Sequence, residues 1–259
     1  NVGNQVIVGR DNGTGTLNLN GGTVTTKWIE GGSGSASVNF NGGVLKAKEN
    51  QGSFIRDLDV ANVQSGGIKI DSNGFDVATS QALTGTGGLE KLGAGSLTLN
   101  AASTYTGPTL VSAGTLKLEL NSSITSAVTV EAGAALAGAG AIAGDLSFNS
   151  GAKFVFSLTQ TLLANGATVS FADFGIDDLV GLSSATTVGL YNLIGGTAII
   201  NTNGLSNLGA ANAADLGDGK SAYFTEGSLQ VNVVPEPSTY ALLVLAGLGM
   251  AGHVIRRRR

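Results

Sequence analysis

The clearest signal is a short alternation of apolar and polar residues that stops at glycine and then resumes. Thr16-Leu17-Asn18-Leu19-Asn20-Gly21-Gly22-Thr23-Val24 is answered further on by Ser37-Val38-Asn39-Phe40-Asn41-Gly42-Gly43-Val44-Leu45. Further glycine pairs fall at Gly66-Gly67, ahead of Ile68-Lys69-Ile70, and at Gly87-Gly88, at nearly the same spacing. Period-two alternation places Leu17, Leu19, Val38 and Phe40 on one side of a strand and leaves Thr, Ser and Asn on the other. Asn-Gly tolerates the positive φ of a tight turn. One such rung cannot bury its apolar face, whereas stacked rungs share a core and satisfy each other's backbone. The pattern predicts an all-β parallel β-helix, or solenoid, over residues 1–152. A meander of antiparallel hairpins is the competing arrangement.

Residues 84–118 sharpen the prediction. Four strands fit there, at residues 88–91, 96–99, 109–111 and 115–118, with Pro108 in a turn where its missing amide matters little. Short rungs continue at residues 128–130, 135–136, 141–142 and 146–148, and alanine and glycine at 132–144 predict a narrower core. Residues 153–233 change texture. Phe154-Val155-Phe156, residues 186–194 and residues 229–233 read as longer strands, and we expect a C-terminal β cap. Short helical turns are expected near Asp177-Asp178 and in residues 205–218.

Composition narrows the chemistry. Of 259 residues, 41 are glycine, 12% are charged and 5% aromatic, and cysteine is absent. Thiol catalysis, disulfides and cysteine-based metal sites are therefore excluded. The single histidine, His253, rules out a Ser-His-Asp triad in the body. Net charge is −4, yet four of the fourteen basic residues are Arg256, Arg257, Arg258 and Arg259. The remainder is acidic and carries no basic groove, which argues against nucleic acid. Asp57, Asp59, Asp71 and Asp76, with Lys69 nearby, are the best available group for a polysaccharide hydrolase or lyase, although scattered turn acids explain them equally well. Trp28, Phe40, Tyr105 and Phe148 are read as rung plugs rather than a binding face, and exposed Thr and Asn ladders as a minor polysaccharide contact. The glycines at 138–144 lack the lysine and helix of a phosphate loop.

The tail from Val234 onward carries a different message. Val234-Pro235-Glu236-Pro237-Ser238-Thr239 interrupts the β pattern with two of the chain's three prolines. Residues 240–255 hold no formal charge with His253 neutral, and four arginines follow. Sixteen helical residues span about 24 Å, so this segment predicts a single short transmembrane helix that requires local thinning or arginine snorkelling. The arginines would stay cytoplasmic and place the β body outside the inner membrane. The start at Asn1, inside a strand-like pattern, predicts an N-terminal truncation with any export signal in the missing part.

Two resemblances follow from these residues. Gly88-Leu89-Glu90-Lys91, Gly95-Ser96-Leu97-Thr98-Leu99, Tyr105-Thr106-Gly107 and Gly114-Thr115-Leu116 closely resemble the autotransporter-associated β-strand repeat over residues 82–118. That resemblance implies a parallel β-helix in an exported surface protein. The ordered tail of residues 234–259 resembles the PEP-CTERM sorting signal of Gram-negative bacteria, with Pro235, Glu236, Pro237 and Ser238 as its motif. It implies recognition and cleavage by an exosortase and delivery to the cell surface or extracellular matrix, in association with exopolysaccharide. The resulting expectation is a non-enzymatic structural protein without cofactor or metal. A polysaccharide-binding adhesin and a β-helix lyase or hydrolase are the alternatives. An autotransporter passenger is disfavoured because the tail offers one apolar helix and no set of barrel strands.

Overall fold

A computed structural model describes residues 5–225 and 229–236. Short strands recur in groups of three, one for each face of a triangular coil. The first face stacks nine strands, from Val6–Val8 and Ile29–Gly31 through Ser96–Leu99 and Thr115–Leu118 to Leu179–Val180. The third face also stacks nine, from Thr23–Thr26 to Ile199–Ile200. The second runs from Gly15–Leu19 to Thr84–Gly85 and resumes from Ala102–Ser103 to Gly189–Gly195. These ladders are parallel, so the solenoid reading holds and the antiparallel meander does not.

The register explains why these residues form rungs. Leu17 lies opposite Val38 and Leu19 opposite Phe40, the offset at which the sequence pattern repeats. Along the first face Val77, Leu97, Leu116, Leu136, Phe154 and Leu179 are stacked partners, all buried. Like side chains therefore pack on like, and the apolar area removed from water grows with each added coil. Three of the four strands expected in residues 84–118 are observed with the expected ends, and the first runs Leu89–Leu92.

Coil length varies at the corners, and the first and third faces stay continuous across all nine strands while the second is interrupted once. The coil that sets Leu136 against Phe154 is a short one, and Ala134 and Ala152 fill its interior. The core then widens. Phe148 stacks on Phe171 at 5.4 Å and meets Phe154 and Phe174 at 6.3 and 5.2 Å, while Phe224 adjoins Phe174 at 6.1 Å. Parallel coils continue past residue 152, since Leu146 pairs with Val169 and Val169 with Ile200. The strand at Lys153–Val155 is a parallel rung rather than part of an antiparallel cap.

Among the described residues antiparallel pairing enters only where the second face closes. Leu229–Pro235 lies between Gly189–Gly195 and Lys220–Phe224, and Ala214–Gly217 completes the sheet. Short 3-10 helices occur at Ile176–Asp178 and Ala210–Asn212, in the stretches where helical turns were expected. Among the described residues no helix is long and apolar enough to cross a membrane. The helix expected at 240–255 lies outside them.

Replacing Phe148 by Ala should lower stability by about 3–5 kcal/mol, because it empties the centre of the aromatic cluster. Val60→Ala, on an exposed rung position, should stay within about 0.5 kcal/mol. Chemical denaturation midpoints compare the two.

Candidate functional site

The first candidate is a polar centre inside the repeat. Leu45, Ile70, Val111, Val130 and Phe148 form the inward column of the third face, and one of its positions, between Ile70 and Val111, is Lys91. Strand alternation forces this, because Leu89 and Lys91 have the same phase and Glu90 points out. Lys91 is fully buried. Its Nζ donates to Ser72 Oγ at 2.8 Å and lies within reach of the carbonyls of Leu92, Gly93 and Ala113 at 2.9, 2.8 and 3.1 Å. Ser72 in turn donates to the Ala94 carbonyl at 2.5 Å.

One ammonium thus ties the corners of three successive coils, and its three protons meet four oxygens. The glycines of the repeat make room for it. At Gly114, φ is +67°, and a Cβ there would overlap the Gly95 carbonyl oxygen and fall 2.8 Å from Lys91 Nζ. Burial lowers the Lys91 pKa to about 8, with Asp71 and Asp76 acting in the opposite direction. Enclosed and fully engaged with protein oxygens, the amine serves as a clamp within the fold.

A second polar chain closes the corner between the second and third faces. The Tyr105 hydroxyl is 2.6 Å from Thr109 Oγ1, which is 2.8 Å from Ser126 Oγ, all three residues being buried. Burial raises the Tyr105 pKa, and the Thr109 and Ser126 hydroxyls oppose the shift. The Pro108 carbonyl accepts the Leu89 N–H at 3.0 Å, and Gly88 is pressed so close that a Cβ would overlap that carbonyl oxygen. Gly88, Lys91, Tyr105 and Gly114 of the repeat signature therefore build its corners.

The four candidate acids do not converge on a cleft. Asp57 is exposed at a corner with φ +55°. Asp59 accepts the Ala36 N–H at 2.7 Å, and Asp71 pairs with Lys46 at 3.0 Å. Asp76 accepts both the N–H and the hydroxyl of Ser96 at 3.0 and 2.8 Å. Lys69 pairs with Glu90 at 3.1 Å rather than with this group. Each acid serves a neighbouring residue or coil. Of the aromatics, Phe40, Tyr105 and Phe148 are buried, and Trp28 is half-buried with the Arg56 guanidinium 5.1 Å from its ring centroid.

Asn18, Asn39 and Asn62 form a ladder on the outer second face, each Nδ2 donating to the preceding Oδ1 at 2.8 and 3.1 Å. At the other end of the molecule, Pro235 is the last residue of the closing strand, opposite Lys220, and the Glu236 N–H donates to the Gly219 carbonyl at 2.9 Å. The sorting motif therefore begins in the cap sheet. Pro237, Ser238 and Arg256, Arg257, Arg258 and Arg259 lie outside the described residues.

Fold and site together define a capped parallel β-solenoid with a C-terminal address. Residues 89–118 match the family model of the Passenger-associated-transport-repeat, and residues 233–259 match the PEP-CTERM protein-sorting motif. These matches support a PEP-CTERM protein with an autotransporter-associated repeat. No curated protein and no solved structure matched the chain.

The lowered Lys91 pKa has a definite consequence. Below about pH 8 the amine is charged in both folded and unfolded chains, whereas between about 8 and the ordinary value of 10.5 the unfolded chain holds the extra proton. Its contribution to folding stability should therefore rise with pH across that window. Urea midpoints measured through it should rise more in the native sequence than in Lys91→Met; parallel profiles would contradict this.

Proposed function

We propose that the chain is a non-enzymatic structural protein, exported as a membrane-anchored precursor and sorted by an exosortase to the cell surface or extracellular matrix. The observation that carries this reading is the sorting motif joined without a spacer to the strand that closes the solenoid. The rod presents outward ladders of short polar side chains, held by stacked coils. The four arginines keep the chain's end cytoplasmic, which puts the body on the periplasmic side before processing. The separate engagement of Asp57, Asp59, Asp71 and Asp76 supports a role without turnover.

A polysaccharide-binding adhesin is the second reading, and exopolysaccharide is its partner. It is favoured by the Asn ladder, whose outer amides form a repeating row of donors and acceptors. Saturable glycan binding without turnover distinguishes it.

Fractionation of the native host with intact-mass determination of the mature C-terminus tests the sorting proposal. Loss of residues beyond the Pro235-Glu236-Pro237 motif, with the body outside the cell, is the expected result. Full-length protein held only in the membrane would overturn processing.

A further inference from the structure

Among the described residues eight large apolar side chains are exposed, and six of them, Leu158, Leu163, Val180, Val188, Leu190 and Ile199, fall in the last coils. Four form one neighbourhood. Phe156 donates its N–H to the Val180 carbonyl at 2.9 Å and packs edge-on against Tyr191 at 5.4 Å, beside Leu190. A groove of about 250 Å³ runs here with Phe156 and Leu158 as its apolar wall, and no charged side chain lines it. Its opposite rim is the loop of residues 183–186, which leads directly into Val188.

The same neighbourhood is where the chain leaves the body. Leu190 is the ladder partner of Asn232 and Gly189 of Val233, close before Pro235. Lys220, opposite Pro235, donates its Nζ to the carbonyls of Ser184 and Thr186 at 2.6 and 2.9 Å, which fixes the groove rim to the exit point. Five steps along the chain lead from Pro235 to Tyr240, the first residue of the uncharged segment, and they reach at most about 18 Å even fully extended. If residues 240–255 occupy the membrane, the surface around Pro235 is held at the bilayer interface. Asp218, Lys220 and Glu236 flank Pro235 itself, and the exposed Val188 and Leu190 lie beside the neighbouring strand.

We propose that Leu158, Val180, Val188 and Leu190 form a collar that rests in the interfacial layer of the bilayer entered by the tail, so that the rod stands on its C-terminal end. This rests on the reading of the tail as a membrane anchor. Its apolar side chains replace contact with water by contact with the acyl boundary, while the short connection keeps them there. The first coils, at the far end of the stack, stay clear of the lipid.

The cysteine-free sequence allows single labels on the full chain. Leu158→Cys, Leu190→Cys, Val60→Cys and Leu245→Cys, each carrying an environment-sensitive fluorophore, are reconstituted into phosphatidylethanolamine–phosphatidylglycerol vesicles. Headgroup-nitroxide lipid should remove about half of the emission at positions 158 and 190 and leave position 60 unaffected, while a mid-chain nitroxide quenches position 245. Quenching at 245 without quenching at 158 and 190 overturns the collar and leaves the anchor standing. An unquenched label at 245 overturns the anchor and the collar with it. Equal quenching at 60 and 190 means a rod lying flat, which also overturns the proposal.

Discussion

Every rung of this protein depends on backbone hydrogen bonds to strands one coil away. A segment such as Thr109–Val111 has no partner within its own turn; its N–H and C=O groups are satisfied by Leu89–Leu92 on one side and Val128–Val130 on the other. Unpaired backbone in the interior is expensive, so each coil must return to the same height with the same strand phase. The constraint falls on corners rather than lengths. The coil from Leu136 to its partner Phe154 is far shorter than the one from Leu162 to its partner Ile194. Both pairings are nonetheless parallel, because the additional residues are accommodated outside the strands.

Corners also explain why a core this apolar contains a lysine. Where the chain turns from the third face to the first, the carbonyls of Leu92, Gly93 and Ala113, from two coils, and the Ser72 hydroxyl from a third converge on one point. An aliphatic side chain at position 91 would remove the donor they share, and an ammonium supplies it at the expense of its own desolvation. The depressed pKa is the trace of that expense, and the four oxygens around Nζ are the compensation. Tyr105, Thr109 and Ser126 solve the same problem at another corner with neutral groups. Both solutions fall at or beside residues 89–118, where the repeat model matches.

Much of this is legible in the sequence, for reasons that also mark its limits. Alternation and Asn-Gly-Gly turns suffice to set Leu17 against Val38, because both signals repeat at one spacing. They mislead by one residue at the next coil. Glycine spacing would set Val44 against Ile68, but Val44 pairs with Lys69. The slip keeps Leu45 facing Ile70 in the core, and side-chain phase prevails over turn spacing. The continuation of the coils beyond residue 152 is hidden because longer connections and phenylalanine replace the earlier small-residue rungs. Lys91 stands in plain view within the repeat signature, and the phase of Leu89 places it inward; only composition-based expectation assigns a lysine to the surface. Asp57 and Asp59 share a face only if their segment is extended, and the positive φ of Asp57 makes it a corner.

The C-terminal end of the stack links fold to address. At the C-terminal end Leu229–Pro235 inserts antiparallel between two strands, turning a parallel edge into a closed sheet. Pro235 lacks an N–H and so suits the final position of such a strand. Glu236 donates one further bond to Gly219, and the sorting motif starts there. A cut beyond Glu236 removes no residue of the closing strand. The body that such a cut would leave keeps both of that strand's ladders, so the fold places no strand in its way.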